Sequence, residues 1–380
     1  MPRNDIHPPP ESPAEPVVLL RADATANIGV GHAMRLLALA QEIRRRGHRV
    51  VIAGDIDVAW VAAAYAEAGI ERLPAPSSPD ELVRLARAEG ATHCILDRYD
   101  LSAEWGATLR AAGVSVMAMV DGEFSAHQDA DLYVDQNPGA TPRPVDAGRI
   151  ALAGASYTLF RDDVLALRRD ARVRTGVTAS DPDPAVGAAP PVRVLAVFGG
   201  TDPMGAAPVV TPLVFDALAA IAMPPGLEDI ATVEAIVTVV TPDAGWADAL
   251  RAAAPSGVEI VTTGPVTDLA RRAAASDLVV TASGSSVWEL MCLGVPLAVV
   301  CVVDNQRPGY DVVVEDDLAL GLGSLDALRS DEAARAAAVA GLTTTLQDTG
   351  VRTRRAARAQ ALLDGRGRER VADALLSLDR

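Results

Sequence analysis

The chain has 380 residues, nearly half of them hydrophobic (49%), and a formal net charge of −16. That length exceeds what a single core usually supports, so two domains are expected, and the apolar content excludes general disorder. The acidic balance argues against nucleic-acid and anionic-membrane partners, which need a positive footprint, although backbone N–H groups at a helix N-terminus can still hold a phosphate locally.

Aromatic residues are scarce (3%) while Ala, Arg, Gly, Val and Pro abound, which reads as a genome-wide compositional bias. Cys94, Cys292 and Cys301 are odd in number, lack metal-ligand spacing and sit in apolar runs, as buried thiols of a reduced, cytoplasmic protein would. Residues 1–16 are Pro-rich with no signal-peptide stretch and read as a disordered tail. The longest apolar region, Leu278–Val303, contains Glu289, Gly294 and Pro296, so it is expected as strand–helix–strand rather than a membrane span.

In chain order, Pro16–Arg21 is expected as a buried strand. After Gly29-Val30-Gly31 a helix is expected from His32 to about Arg46, with Leu36, Leu37, Ala40 and Ile43 on its apolar side. Arg44–Arg46 fall in its last turn, where cations suit the helix dipole, and Gly47 is a plausible stop. A strand at Val50–Ala53 follows, then helices at Val58–Ala68 and Pro79–Glu89, and a strand at Thr92–Leu96. A helix at Ala103–Ala112 and a strand at Val114–Val120 complete the first series. Alternation of this kind implies a parallel, doubly wound sheet, whose ligand crevice is lined by residues just beyond strand C-termini. Arg21–Asp23, Asp97–Tyr99 and Asp121–Gly122 all fall there.

The pattern collapses between about Arg172 and Pro191, which reads as an interdomain linker or surface insertion. A second series is expected from strand Val192–Phe198 and a helix starting near Ala206. It continues with strand Val233–Val240, helix Gly245–Ala254, strand Val258–Thr262 and helix Val266–Ala275. Strand Leu278–Thr281, helix Ser286–Leu293 and strand Leu297–Val303 follow, and Arg352–Asp379 is helical in character. The domain plan is therefore residues 17–170, a linker at 171–191, a second α/β domain at 192–345 and a helical tail at 346–380.

Three motifs carry chemistry. Gly29-Val30-Gly31-His32 allows a tight turn and places His32 at a positive helix N-terminus, which favours a neutral imidazole able to accept a proton. Taken alone, a structural His cap and a functional His are equally good readings, and the dinucleotide fingerprint is incomplete. Phe198-Gly199-Gly200-Thr201-Asp202-Pro203 exposes N–H groups after a strand, either for an anion or as an ordinary strand exit. It is not a Walker loop, since no Gly-Lys-Ser/Thr follows. Ser283-Gly284-Ser285-Ser286 opens a helix with small hydroxyl residues suited to a phosphate-sized anion. Glu289 is then either the carboxylate of a capping box with Ser285 or Ser286, or an acceptor for a ribose diol. Asn305-Gln306 follows the next strand, where amides could read a sugar or position water.

This ordered set resembles the PseG/SpsG family of nucleotide-sugar hydrolases, distant relatives of the MurG-type GT-B glycosyltransferases. The matching residues are Arg21-Ala22-Asp23, Ile28–His32, Arg35, Asp97-Arg98-Tyr99, Asp135-Gln136-Asn137, Phe198–Pro203, Gly284–Glu289 and Asn305-Gln306. The resemblance implies a GT-B fold of the α/β class, two Rossmann-like domains with a cleft between them and His32 at that cleft. It also implies a UDP-sugar substrate, with hydrolysis of a UDP-linked amino- or deoxy-sugar as in pseudaminic acid biosynthesis. Carried over by position, His32 is the general base. Asp23, Gly29, Gly31, Arg35, Tyr99, Asn305 and Gln306 serve the sugar. Gly199, Gly200, Thr201, Ser283, Gly284, Ser285, Ser286 and Glu289 hold the nucleotide. Met204-Gly205-Ala206-Ala207, Gly122 and the 170–191 insertion depart from the family pattern, which leaves the particular sugar open.

No cofactor motif is present and no Asp-x-Asp pair is placed to bind a metal–diphosphate, so insensitivity to EDTA is expected. The rival readings are a metal-independent inverting glycosyltransferase, separated by whether UDP is released in water alone, and a non-catalytic nucleotide-sugar-binding partner, separated by any turnover. A dehydrogenase is poorly supported, because no acidic residue is suitably placed after a full dinucleotide loop.

Overall fold

The computed structural model describes residues 16–25, 28–168, 191–199, 202–222, 235–240, 244–264, 266 and 268–378. The expected N-terminal tail (Pro16 aside), the Pro/Ala-rich stretch up to residue 190, Gly200 and Thr201 lie outside the described residues. The chain divides into two compact units. The first takes the residues up to Gln136, Thr141–Ala153 and those from Arg368 onward; the second takes Asn137–Ala140 and Gly154–Gly367.

The first unit runs β1 (Val17–Arg21), α1 (Gly31–Arg45), β2 (Arg49–Ala53), α2 (Ala59–Glu67), β3 (Glu71–Leu73), α3 (Pro79–Glu89) and β4 (Ala91–Leu96). It continues with α4 (Ala103–Ala111), β5 (Ser115–Met119), β6 (Leu132–Asp135) and β7 (Ile150–Ala153). The strands form one parallel sheet in the order β3-β2-β1-β4-β5-β6-β7. β1 is buried at all five positions, as expected of a central strand covered on both faces. The core around it includes Leu19, Val51, Leu82, Leu96, Val116 and Leu109. α3 shows why its limits were readable. Pro79 stands in its first turn, the Ser78 hydroxyl accepts the Glu81 N–H (3.3 Å), and Gly90 ends it at φ +68°.

The second unit begins with α5 (Asp162–Leu167), β8 (Val192–Val197), α6 (Ala207–Ala222), β9 (Ala235–Val240), α7 (Ala244–Ala253), β10 (Val258–Thr263) and α8 (Leu269–Ala274). Then come β11 (Leu278–Ala282), α9 (Ser286–Cys292), β12 (Leu297–Cys301), α10 (Arg307–Glu315), β13 (Leu320–Ser324), α11 (Leu325–Ser330), α12 (Glu332–Gln347) and α13 (Thr349–Leu362). Its parallel sheet has the order β10-β9-β8-β11-β12-β13, with an apolar core on each face. The apolar region Leu278–Val303 is strand, helix and strand, and among the described residues no helix is long and apolar enough to cross a membrane. All three cysteines are buried and free.

The C-terminal region differs from the continuous helical reading. Gly365 (φ +80°) and Gly367 interrupt it, and α14 (Gly367–Leu376) lies almost wholly in the first unit. The Arg run ending α1 has a partner there. Arg46 pairs with Asp373 (2.6 Å) and donates to the Glu369 carbonyl (2.9 Å), while buried Glu42 accepts from Arg45 and Arg46 at 2.7–2.9 Å. The run is thus a docking point for α14 as well as the cationic last turn of α1.

Candidate functional site

In each sheet the strand order reverses between two neighbours, and the C-terminal side of that switch is where doubly wound folds leave room for a ligand. In the first unit the switch lies between β1 and β4, and in the second between β8 and β11. Ala22-Asp23, Asp97 and Asp121 follow β1 (which Arg21 ends), β4 and β5; Gly199, Ser283 and Asn305-Gln306 follow β8, β11 and β12. The topology therefore gathers each set of sequence motifs at one place within its own unit.

In the first unit, Gly29 turns the chain at φ +83°, with its N–H bonded to the Thr25 carbonyl (2.9 Å). Gly31 then starts α1, and His32 is the second residue of that helix. No side chain caps the helix at Val30, and the His32 ring turns to Asp97 instead, which removes the structural-cap reading. Its Nδ1 lies 2.6 Å from Asp97 Oδ1. Asp97 is fully buried and ionised, so it can only accept, and Nδ1 carries the proton. Nε2 has no hydrogen-bond partner among the described residues and is left as the basic nitrogen.

Arg35, one turn along the same helix face, completes the arrangement. Its Nε donates to Asp97 Oδ2 (2.7 Å), its Nη2 to Asp97 Oδ1 (2.5 Å), and its Nη1 to both Asp121 oxygens (2.9 and 2.8 Å). Burial by itself would raise the Asp97 carboxyl, but the Arg35 charge and the bonds from Arg35 and His32 hold it below the usual carboxylate range. The Tyr99 hydroxyl donates to Asp121, and its ring meets the imidazole edge-on with centroids 4.5 Å apart. Burial and the adjacent Asp121 carboxylate push the Tyr99 phenol far above its ordinary range, so it stays a donor.

Asp23 is differently engaged. It is buried and accepts from Arg21 (2.5 Å), from the Asp55 N–H (2.8 Å) and from Arg98. These bonds tie the segments after β1, β2 and β4 together, and they occupy the carboxylate with protein partners.

In the second unit, Gly199 follows β8 at φ +81°, while Gly200 and Thr201 lie outside the described residues. Asp202 accepts the Ala206 and Ala207 N–H groups (both 2.8 Å), so the N-terminus of α6 is satisfied from within the chain. The Ser283–Ser286 loop leads into α9. Gln306 Oε1 accepts from the Ser283 hydroxyl (3.4 Å) and the Val302 N–H (3.2 Å), so this amide braces the loop. Asn305 is exposed beside it.

The capping-box alternative for Glu289 does not form, since neither Ser285 nor Ser286 gives a side-chain cap to α9. Arg161, at the start of α5, instead grips the carboxylate (2.7 Å to Oε1 and 3.5 Å to Oε2). Burial lifts the Glu289 carboxyl above the ordinary range against the pull of Arg161. Arg161 was not singled out from sequence: it lies 128 positions before its partner, and no local motif marks it. Asp97 and Asp121 were visible as strand-end residues but had no assigned role. Among the described residues, no three His, Cys, Asp or Glu side chains are gathered so as to hold a metal ion.

No family model and no curated protein matches the sequence. Among solved structures, Acinetobacter baumannii MurG superposes with a TM-score of 0.65 at 14% identity, covering 96% of this chain and all of that one (100%). A glycotransferase of kitacinnamycin gives 0.61 at 17% identity, over 96% of this chain and 98% of its own. A putative UDP-N-acetylglucosamine 2-epimerase from Listeria monocytogenes gives 0.59 at 14% identity, over 96% of both chains. With two all-parallel Rossmann-like sheets and likeness along nearly its whole length, the chain has the GT-B fold.

Proposed function

We propose that this chain is an enzyme acting on nucleotide sugars, and that it transfers the sugar to a hydroxyl acceptor with inversion at the anomeric carbon. The observation that carries the reading is the His32–Asp97 pair, braced by Arg35 at the switch point of the first sheet. His32 Nε2 takes the proton of the acceptor hydroxyl. The acceptor oxygen bonds to the anomeric carbon, the bond from that carbon to the phosphate oxygen breaks, and its electron pair leaves with the nucleoside diphosphate. Asp97 holds the productive tautomer and stabilises the imidazolium as it forms. The second unit is assigned the donor, with the Gly199–Thr201 and Ser283–Ser286 segments at the diphosphate, Glu289 at the ribose and Asn305 toward the sugar. One of the three solved structures compared is named as a glycotransferase, one as MurG and the third as a putative UDP-N-acetylglucosamine 2-epimerase, which supports transfer and a nucleotide-sugar donor.

A second reading, hydrolysis, is favoured by the ordered PseG/SpsG-like motifs, of which His32, Arg35, Asp97 and Tyr99 come together within one unit. Water then takes the acceptor's place, and His32 keeps its role. The test is a panel of UDP- and TDP-sugars with and without hydroxyl acceptors, following diphosphate release. Acceptor-dependent release means transfer, and release in water alone means hydrolysis. A positioned base contributes about 10²–10⁴-fold, so His32→Ala should lose at least ~100-fold in turnover while nucleotide binding survives. Unchanged turnover in that variant would falsify the assignment.

A further inference from the structure

We propose that Phe124 and Tyr99 form a ledge on which the acceptor lays the apolar face of a ring, so that Phe124 sets acceptor specificity. The proposal rests on the acceptor role of the first unit set out above. The chain has four phenylalanines. Phe160, Phe198 and Phe215 are 1%, 3% and 4% exposed, whereas Phe124 is 59% exposed. Its ring lies 4.9 Å from that of Tyr99, tilted by 31°, and Tyr99 in turn touches His32. Imidazole, phenol and phenyl thus make one continuous aromatic surface leading away from the base.

The exposure is not that of a loose loop tip. The Asp121 N–H bonds to the Phe124 carbonyl (3.3 Å) and the Phe124 N–H to the Asp121 carbonyl (3.0 Å). Gly122 turns between them at φ +60°, with its N–H on Asp135 (3.0 Å), and the Ser125 hydroxyl donates to the Arg98 carbonyl (3.0 Å). The turn is fixed to the strand end that also carries Asp121, so the backbone that bears the ring is held in place. A rigid exposed aromatic offers contact area at low entropic cost on binding.

The chemistry of the ledge selects its occupant. Water needs no apolar surface, so an aromatic face beside the proton acceptor fits the carbon skeleton of an organic nucleophile. The Tyr99 hydroxyl proton is already given to Asp121, so the ledge offers C–H and π surface and no free hydroxyl donor. One guanidinium, Arg35, serves both Asp97 and Asp121, a balance that repels an anionic acceptor. The class implied is a neutral cyclic alcohol or phenol whose reacting hydroxyl sits on an apolar ring.

Saturation-transfer NMR on the full chain, with 4-methylumbelliferone as the probe, tests this directly. The probe should bind the wild type and His32→Ala, bind Phe124→Ala roughly fivefold or more weakly, and recover with Phe124→Trp. Equal binding to Phe124→Ala, or none to the wild type, overturns the proposal. A rise in nucleotide-sugar KM for Phe124→Ala in water alone, with probe binding unchanged, places the donor sugar on the ledge and likewise overturns it. Because the binding readout needs no turnover, a wild type inert toward every nucleotide sugar refutes the function proposed above without deciding the ledge.

Discussion

Replacing Asp97 by Asn removes a charge and two acceptor roles while keeping the shape of the side chain. In the native site Asp97 is fully buried and receives the imidazole at 2.6 Å and the guanidinium at 2.5 and 2.7 Å. An Asn oxygen in the Oδ1 place serves His32 Nδ1 and Arg35 Nη2 and sets the NH2 against Arg35 Nε, whereas in the Oδ2 place it serves Nε and sets the NH2 against the other two donors. If the NH2 faces Nδ1, the ring flips to the tautomer that puts the proton on Nε2, which abolishes the base. If it faces Arg35, the guanidinium loses its closest ion pair in a buried setting. Breaking a buried pair costs about 3–5 kcal/mol, and because Asp121 still holds Arg35 through two bonds the loss here should be about 2–3 kcal/mol. Turnover should fall about 10³-fold or more, the order seen when a base loses its orienting carboxylate. Steady-state kinetics and thermal melting on the same preparation separate the two effects. A folded Asp97→Asn protein with turnover within about threefold of wild type, where a lost base predicts orders of magnitude, would refute the argument.

Arg161→Ala should weaken nucleotide binding about tenfold, because Glu289 loses the charged partner that orients it, and Arg161→Lys should restore part of the loss. Titration calorimetry with UDP decides this, and an unchanged Kd sinks the role given to Glu289. Acid stability follows from Asp97 and Glu42, whose carboxyls burial would raise but whose arginine partners hold below the ordinary 3.8 and 4.5. A depressed folded value stabilises the protein above the unfolded value and is lost as pH falls through it, so the melting temperature should hold from pH 7 to 5 and drop below about pH 4. Glu42→Gln should shrink that drop, since one of the two carboxylates no longer titrates; an undiminished drop would assign the acid response elsewhere.

Strands that lie in the middle of a sheet were legible because burial on both faces demands an unbroken apolar run. Val17–Arg21, Leu278–Ala282 and Leu297–Cys301 are of this kind, and their observed limits fall within two residues of expectation. β3 (Glu-Arg-Leu) and β13 (Leu-Gly-Leu-Gly-Ser) were not readable, since each lies at a sheet edge and carries charges or glycines where a period should show. Within the site, the three-residue spacing of His32 and Arg35 on a helix could be read directly. That the same carboxylate holds both could not, because it depends on β4 lying next to β1, a fact of strand order rather than local pattern. Phe124 stands in a polar turn, and its exposure and ring contacts are what distinguish it.

The two switch points differ in charge, and the difference bears on which step each unit can serve. In the first, one guanidinium lies between two carboxylates, so the surroundings of His32 are anionic even after pairing. Such surroundings oppose a second anion, which suits the proposed base acting on a neutral hydroxyl. In the second, the N–H groups of Gly284, Ser285 and Ser286 meet no acceptor among the described residues, and the carboxylate of Glu289 is balanced by Arg161. Charge develops in opposite senses at the two ends of a glycosyl displacement, positive on the base and negative on the departing phosphate. Under the proposed function, the switch point of the first sheet receives the positive charge and that of the second sheet the negative.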